Sequence, residues 1–183
     1  MDLRERLRQV LKERSYEEGD FLLSSGKRSS FYIDAKQTTL TPEGAYLCGK
    51  LFYQMIKNAN EKIEAIGGPT LGADPIVTAV SLISYLEGDP IYAFIIRKEP
   101  KKHGKGLWIE GDKALREGMR VAIVEDVVTT GATLLKAIEV CESFGLQVSM
   151  VMVLIDREEG ARELLKEKGY DLQSLFRRSE LVG

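Results

Sequence analysis

The first 40 residues carry two different hydrophobic patterns, one helical and one extended. Residues 3–14 place apolar side chains three and four positions apart, which is the spacing of one helix face. That apolar face consists of Leu3, Leu7, Val10 and Leu11. Two short extended stretches follow at 20–24 and 30–35, and the turn-prone sequence SGKRS lies between them. We therefore predict an N-terminal helix followed by a β-hairpin.

From residue 41 onward, apolar runs alternate with helical patterns. Thr41 followed by Pro42 is a helix start signal, and that helix should run to about Lys57. Apolar strands are predicted at 63–68, 91–97, 120–126, 147–156 and 171–176. Further helices are predicted from Asp74 to about Tyr85, from the TTGAT sequence to about Phe144, and within EGARELLKEKG.

This alternation indicates the fold class. Strands that are apolar on both faces and alternate with helices are typical of a parallel sheet covered on both sides. The N-terminal helix and hairpin do not fit the alternation. We predict one α/β domain, 1–183, in which roughly residues 1–40 form a small hood on a core of residues 41–183.

The composition narrows the protein class. A chain of 183 residues with 44% hydrophobic and 30% charged residues is typical of an ordinary globular domain. The formal net charge of −2 argues against a protein that coats nucleic acid, so any anion site must be local. No uncharged apolar run approaches the ~20 residues that span a bilayer, and the charged N-terminus lacks the apolar core of a signal peptide. We therefore expect neither nucleic acid nor a membrane as a partner. Cys48 and Cys141 show no C-x-x-C spacing, so we expect two free thiols and a cytoplasmic protein.

Three unusual loops follow predicted strands. They are GGPTLGAD (67–74), RKEPKKHGKG (97–106) and EDVVTTGAT (125–133). In open parallel sheets, ligands bind beyond the carboxyl ends of the strands. Three such loops at one sheet edge therefore predict a single binding site.

The third loop combines two kinds of ligand group. Glu125 and Asp126 end a buried strand, and three threonines surround Gly131 where the next helix begins. The first N–H groups of a helix have no intrahelical partner, so with the threonine hydroxyls and the helix dipole they form a phosphate cradle. Carboxylates suit sugar hydroxyls or a magnesium ion. A threonine N-cap and two exposed acids would explain each half alone, but the combination favours a ligand that carries both a ribose and a phosphate.

The second loop is unusually basic. Five of its ten residues are lysine or arginine, and it contains the only histidine of the chain, His103. A charge run of this kind is usually a solvated loop. Here it follows a buried strand, is bracketed by glycines and lies at the same sheet edge as the phosphate cradle, so we expect it to bind an anion.

The sequence VAIVEDVVTTGATL (121–134) resembles the phosphoribosyl pyrophosphate (PRPP) motif of type I phosphoribosyltransferases. The stretches SSFYIDAKQTTL, GGPTLGADPI, RKEPKKHGKG and IDRE occur in the order found in the orotate phosphoribosyltransferase family. The resemblance implies a type I phosphoribosyltransferase fold, with a mostly parallel central sheet, flanking helices and a small N-terminal hood of helix and hairpin. It also implies transfer of the ribosyl 5-phosphate group from PRPP to orotate in UMP biosynthesis, with Mg²⁺ as cofactor and no side chain assigned as a metal ligand.

Individual roles follow from this resemblance. Lys101 and His103 are implied as catalytic residues, and Thr129 and Arg157 as orotate-binding residues. Arg157 also makes physical sense, because a guanidinium binds a carboxylate through two parallel hydrogen bonds and orotate carries a carboxylate. The residues implied to bind PRPP are Arg97, Lys98, Lys101, His103, Glu125, Asp126, Val127, Val128, Thr129, Thr130, Gly131, Ala132 and Thr133.

The resemblance further implies a homodimer in which the basic loop closes over the active site of the neighbouring subunit. Tyr32 and Ile33 match the hood segment whose backbone faces the base. One position departs from the family: Ser24 stands where many members have a PRPP-binding lysine, and Lys27 or Arg28 would have to replace it. Two alternatives stay open here, a phosphoribosyltransferase for purine bases and a PRPP-binding transcription regulator of the same fold.

Overall fold

A computed structural model describes residues 2–22, 28–100 and 107–182. The helices in these ranges are α1 Leu3–Arg14, α2 Lys36–Thr39, α3 Pro42–Lys57, α4 Ala73–Leu86, α5 Ala132–Ser143 and α6 Ala161–Glu167. The strands are β1 Tyr16–Leu22, β2 Arg28–Ile33, β3 Ala65–Pro69, β4 Tyr92–Ile96, β5 Ile109–Glu110, β6 Arg120–Val128, β7 Gln147–Asp156 and β8 Leu172–Arg177. None of the helices described here is both long and apolar enough to cross a membrane.

Six strands form one sheet in the order β5-β4-β3-β6-β7-β8. Neighbouring strands run parallel except β4 and β5, which are antiparallel. The core on one face includes Phe52 of α3 and Ile76 of α4, and the core on the other includes Leu134 and Ile138 of α5. This arrangement confirms the predicted mostly parallel sheet flanked by helices.

The parallel strands bring their carboxyl ends to one edge. Pro69 at the end of β3 pairs with Ile96 at the end of β4, and Val128 at the end of β6 pairs with Asp156 at the end of β7. The segments that follow these four strands therefore lie side by side, as predicted.

Helix α1 packs against α3, and the hairpin packs against α1 through β1. β1 and β2 are antiparallel, and β1 begins at Tyr16 rather than near residue 20. Its first half, YEEG, is polar and gave no alternating signal. Helix α2 was not predicted either, because four residues are too few to show a helical period. The hood boundary at residue 40 stays a prediction.

Thr41 caps helix α3 in the predicted way, with Pro42 at the first turn. Its hydroxyl accepts a 3.0 Å hydrogen bond from the Gly44 N–H and donates at 2.8 Å to the Thr38 carbonyl. Thr41→Ala removes both contacts and should lower the free energy of unfolding by about 1–2 kcal/mol. Thr41→Ser keeps the hydroxyl and should stay close to wild type in urea denaturation. If Thr41→Ser lowered the free energy of unfolding as much as Thr41→Ala does, the hydroxyl contacts of the cap would not be the source of the loss.

Candidate functional site

The acid pair, Glu125 and Asp126, lies near the carboxyl end of strand β6. The strand continues two residues beyond the predicted end, to Val128, so Glu125 and Asp126 are held by sheet hydrogen bonding rather than by a loop. The Val127 N–H donates to Asp126 Oδ1 at 2.8 Å. A Cβ on Gly72 would lie 2.1 Å from the same oxygen, so only glycine lets the loop after β3 approach the carboxylate.

Burial shapes the electrostatics of this pair. Burial raises the pKa of Glu125 to about 8, and the negative charge of Asp126 adds to the increase. Burial also raises the pKa of Asp126, although the Val127 N–H and the Lys36 ammonium oppose the shift. Two neighbouring carboxylates at this depth are stabilised by ligand groups that donate hydrogen bonds or carry positive charge.

Lys36 lies beside the acid pair and was not among the predicted site residues. Its ammonium lies 2.8 Å from Asp34 Oδ1 and 3.9 Å from Asp126 Oδ2. The hydrogen bond to Asp34 raises the pKa of Lys36, and the charge of Asp126 contributes to the increase. The only signal in the sequence was a lysine shortly after the hairpin, and the unpredicted helix α2 is what places it beside the acid pair.

The glycine–threonine loop turns from β6 into helix α5. Gly131 precedes the helix with φ of +88°, a left-handed conformation that favours glycine. Thr130 and Thr133 are exposed and Thr129 is half-buried, so hydroxyls and first-turn N–H groups of α5 border open space at the sheet edge. The loop has the local geometry on which the predicted phosphate cradle depends, and the binding of phosphate stays a prediction.

Arg157 follows strand β7 and adjoins this loop. Its backbone N–H donates to the Val128 carbonyl at 3.0 Å, which places it beside Thr129. The side chain is buried, its guanidinium carbon lies 4.8 Å from the centre of the Phe31 ring, and its Nε donates to Glu159 at 2.9 Å. Phe31 belongs to the hood, so Arg157 connects the hood to the cradle.

The hood residues matched in the sequence differ in exposure. The Tyr32 side chain is 44% exposed, whereas Ile33 is buried. Arg28 forms an ion pair with Asp20 across the hairpin. Ser24 and Lys27 lie outside the described residues.

A cavity of about 410 Å³ joins segments from three strand ends. Its lining comes from the loop after β3, the beginning of the basic loop and the first turns of α5: Pro69, Thr70, Ile96, Arg97, Lys98, Trp108, Ala132, Thr133, Lys136, Ala137 and Val140. Arg97 donates to Glu110 at 2.7 Å, and the Lys136 ammonium lies 4.7 Å from the Trp108 ring. Trp108 and Lys136 were not predicted as site residues. Lys101 and His103 lie outside the described residues.

The fold and the site together define a class of protein. A mostly parallel sheet whose carboxyl edge carries an acid pair, a glycine–threonine cradle and a hood is the arrangement of a type I phosphoribosyltransferase. The family model described as "Phosphoribosyl transferase domain" matches residues 35–173.

The relatives narrow this class. Orotate phosphoribosyltransferase of Aquifex aeolicus is 49% identical over 182 residues, which are 98% of this chain and 97% of the relative. The Synechocystis enzyme of the same name is 45% identical over 95% of this chain and 86% of the relative. The crystal structure of Mycobacterium tuberculosis orotate phosphoribosyltransferase in complex with PRPP matches with a TM-score of 0.81 and 32% identity, covering 98% of this chain and 99% of that one. This chain belongs to the orotate phosphoribosyltransferase family.

The buried acid pair makes stability depend on pH. Because burial raises the pKa of Glu125 from an ordinary value of 4.5 to about 8, its contribution to stability is complete below pH 4.5 and is lost as the pH rises toward 8. Glu125→Gln removes the ionisation. It should therefore increase the free energy of unfolding at pH 8.5 by roughly 2–4 kcal/mol relative to wild type, with little difference at pH 5.

Urea denaturation of both proteins at the two pH values measures this effect. Glu163→Gln, on the exposed side of α6, serves as the control and should change stability at neither pH. A Glu125→Gln variant that is no more stable than wild type at pH 8.5 would contradict the electrostatic cost assigned to the pair.

Proposed function

We propose that this chain transfers the ribosyl 5-phosphate group from PRPP to orotate, giving orotidine 5′-monophosphate and pyrophosphate, in pyrimidine biosynthesis. The observation that carries the proposal is the placement of the acid pair, the cradle and buried Arg157 side by side at one sheet edge. The names of the relatives support orotate as the base rather than the purine alternative. In the reaction, a ring nitrogen of orotate gives up its proton and bonds to the anomeric carbon of PRPP, and pyrophosphate leaves with the electron pair of the broken C–O bond and takes up a proton.

The acid pair and cradle suit the two ends of the PRPP ribose. Ribose hydroxyls donate hydrogen bonds to the carboxylates of Glu125 and Asp126, while residues 127–133 wrap the 5′-phosphate. The half-buried carboxylates favour such donors because water is scarce around them. The helix α5 N-terminus favours the phosphate through its N–H groups and its dipole.

Arg157 and Thr129 suit the orotate carboxylate. Arg157 Nε is held by Glu159, and a guanidinium has five N–H donors, so this contact uses only part of its capacity. The Phe31 ring lies against the same guanidinium and fixes its orientation. A guanidinium held in this way binds a planar carboxylate through two hydrogen bonds.

Magnesium fits this site as a partner of the substrate. Among the described residues there is no cluster of three or more His, Cys, Asp or Glu side chains that would hold a metal by itself. Mg²⁺ usually binds through one or two carboxylates together with substrate phosphates, and Glu125 and Asp126 supply that number. When bound, Mg²⁺ neutralises charge on the pyrophosphate. The pair would hold it jointly with oxygens of PRPP.

The leaving pyrophosphate requires cations and exclusion of water. Arg97 and Lys98 line the cavity beside the cradle, and we assign them to the pyrophosphate of PRPP. We assign Lys101 to stabilise charge on the leaving group and His103 to donate a proton to it, since imidazole titrates near pH ~6.5. In this proposal the basic loop closes over the site and excludes water.

The direct test mixes the protein with PRPP, Mg²⁺ and orotate and follows the absorbance of orotate. We expect orotate to be consumed in proportion to the PRPP supplied, and hypoxanthine and adenine to remain unchanged. If the protein consumed a purine base but not orotate, the substrate would be a purine base and the assignment of orotate would be wrong. No reaction with any of the three bases would remove the activity altogether.

We also propose that the chain forms a homodimer with a shared basic loop. Several large apolar side chains are exposed around α4: Leu40, Leu71, Leu82, Tyr85 and Leu86. Leu40, Leu71 and Thr78 line one apolar depression of about 580 Å³, and Leu82 and Tyr85 continue the Thr78 face along the helix. A contiguous apolar surface beside the site supports its burial against a second copy. Cys48 and Cys141 are buried free thiols, which supports the cytoplasm as the proposed location.

Subunit mixing tests the shared loop. Lys101→Ala and Asp126→Asn should each be nearly inactive alone. If the loop acts on the neighbouring subunit, each mixed dimer contains one site with an intact loop and an intact acid pair. Refolding the two variants together at equal concentration should therefore restore about one quarter of wild-type turnover. A mixture that stays as inactive as its components would show that each loop serves its own subunit.

A further inference from the structure

Lys36 lies at the junction of the hood and the core and has no role assigned so far. It is the first residue of α2, directly after the hairpin, and its side chain is 39% exposed. Its ammonium contacts one carboxylate of the hood, Asp34, and faces one carboxylate of the core, Asp126. The side chain also borders the depression formed by Leu71 and Asp74, next to the loop after β3.

Asp34 fixes the position of this ammonium. Asp34 Oδ1 accepts hydrogen bonds from the Lys36 backbone N–H at 3.1 Å and contacts its Nζ at 2.8 Å. Asp34 Oδ2 accepts from Gln37 at 3.1 Å. Asp34 therefore contacts both the backbone N–H and the ammonium of Lys36. On its other side, the ammonium faces Asp126.

The two oxygens of Asp126 have different partners. Oδ1 accepts from the Val127 N–H at 2.8 Å and lies against Gly72, whereas Oδ2 faces Lys36 at 3.9 Å. That distance is too long for a hydrogen bond but short enough for strong electrostatic attraction. Oδ2 therefore keeps its capacity to accept a hydrogen bond while the lysine stabilises its charge.

A surface ion pair between Lys36 and Asp34 alone would contribute little. What distinguishes Lys36 is that it also faces the carboxylate of Asp126, which is only 13% exposed and adjoins Glu125. A highly anionic substrate that binds beside two carboxylates encounters repulsion, which a fixed cation offsets.

We propose that Lys36 is a positioning residue for PRPP: it orients Asp126 Oδ2 toward the ribose hydroxyls and offsets the charge of the acid pair when the substrate binds. This inference rests on the proposed function, because it assigns the acid pair to the ribose of PRPP. It concerns the binding of PRPP and leaves the orotate side of the site unchanged.

Isothermal titration calorimetry with PRPP and Mg²⁺ in the absence of orotate is the deciding experiment. Lys36→Met should weaken PRPP binding by about tenfold or more, since one tenfold step corresponds to the loss of a single well-placed charge interaction. Lys36→Arg keeps the charge and should recover most of the affinity. Lys57→Met, which removes an exposed lysine paired with Asp89, should bind as wild type does.

Steady-state kinetics provide a second readout. Lys36→Met should raise the KM for PRPP about tenfold and leave the KM for orotate and kcat within about threefold of wild type. A structural defect would instead lower thermal stability without ligand, reduce kcat and raise both KM values together. Lys36→Gln provides a polar replacement if the methionine variant folds poorly.

The outcomes separate the two proposals. A PRPP affinity of Lys36→Met within twofold of wild type overturns the role of Lys36. Equal weakening in the methionine and arginine variants overturns it too, because the charge would then be irrelevant. If wild type binds PRPP but consumes no orotate, the base assignment fails, and the calorimetric comparison still decides the role of Lys36.

Discussion

Two adjacent, partly buried carboxylates at the end of a central strand are the constraint on which the site depends. Glu125 and Asp126 lie where desolvation disfavours their charged forms, and burial raises the pKa of both. The surrounding structure compensates in part, through the Val127 N–H and the ammonium of Lys36. The close approach of Gly72 then restricts access of water to Asp126. Such a pair is costly for an unliganded fold and useful for binding a polyhydroxylated, cation-associated substrate.

The parallel sheet turns this local feature into a site. Because β3, β4, β6 and β7 run in one direction, the segments after them meet at one edge. The hydrogen bond from the Arg157 N–H to the Val128 carbonyl joins the end of β7 to the end of β6, where the cradle begins. The hood is attached at the same edge, since the guanidiniums of Arg157 and Arg178 both lie near the Phe31 ring, at 4.8 and 5.3 Å. The hood, the cradle and the acid pair are thus coupled by direct contacts.

Most helices and long strands were predictable because each has a regular apolar period. Strand β7, for example, is a nearly continuous apolar run and is buried along its second half. The failures were short or polar elements: α2, the two-residue strand β5 and the first half of β1. Elements of this length are stabilised by tertiary packing rather than by local propensity, so they leave no periodic signal.

The sequence by itself determined the chemistry of the acid pair and the cradle, because a strand, two acids, a glycine and the next helix are consecutive in the chain and their geometry is local. The family resemblance made Arg157 a candidate, and its position after a buried strand agrees with a place at the ligand edge. Only the tertiary structure decided that Lys36 faces Asp126 and that Phe31 lies against Arg157. These contacts join residues far apart in the chain. They form only when the hood packs on the core, and no local pattern records that packing.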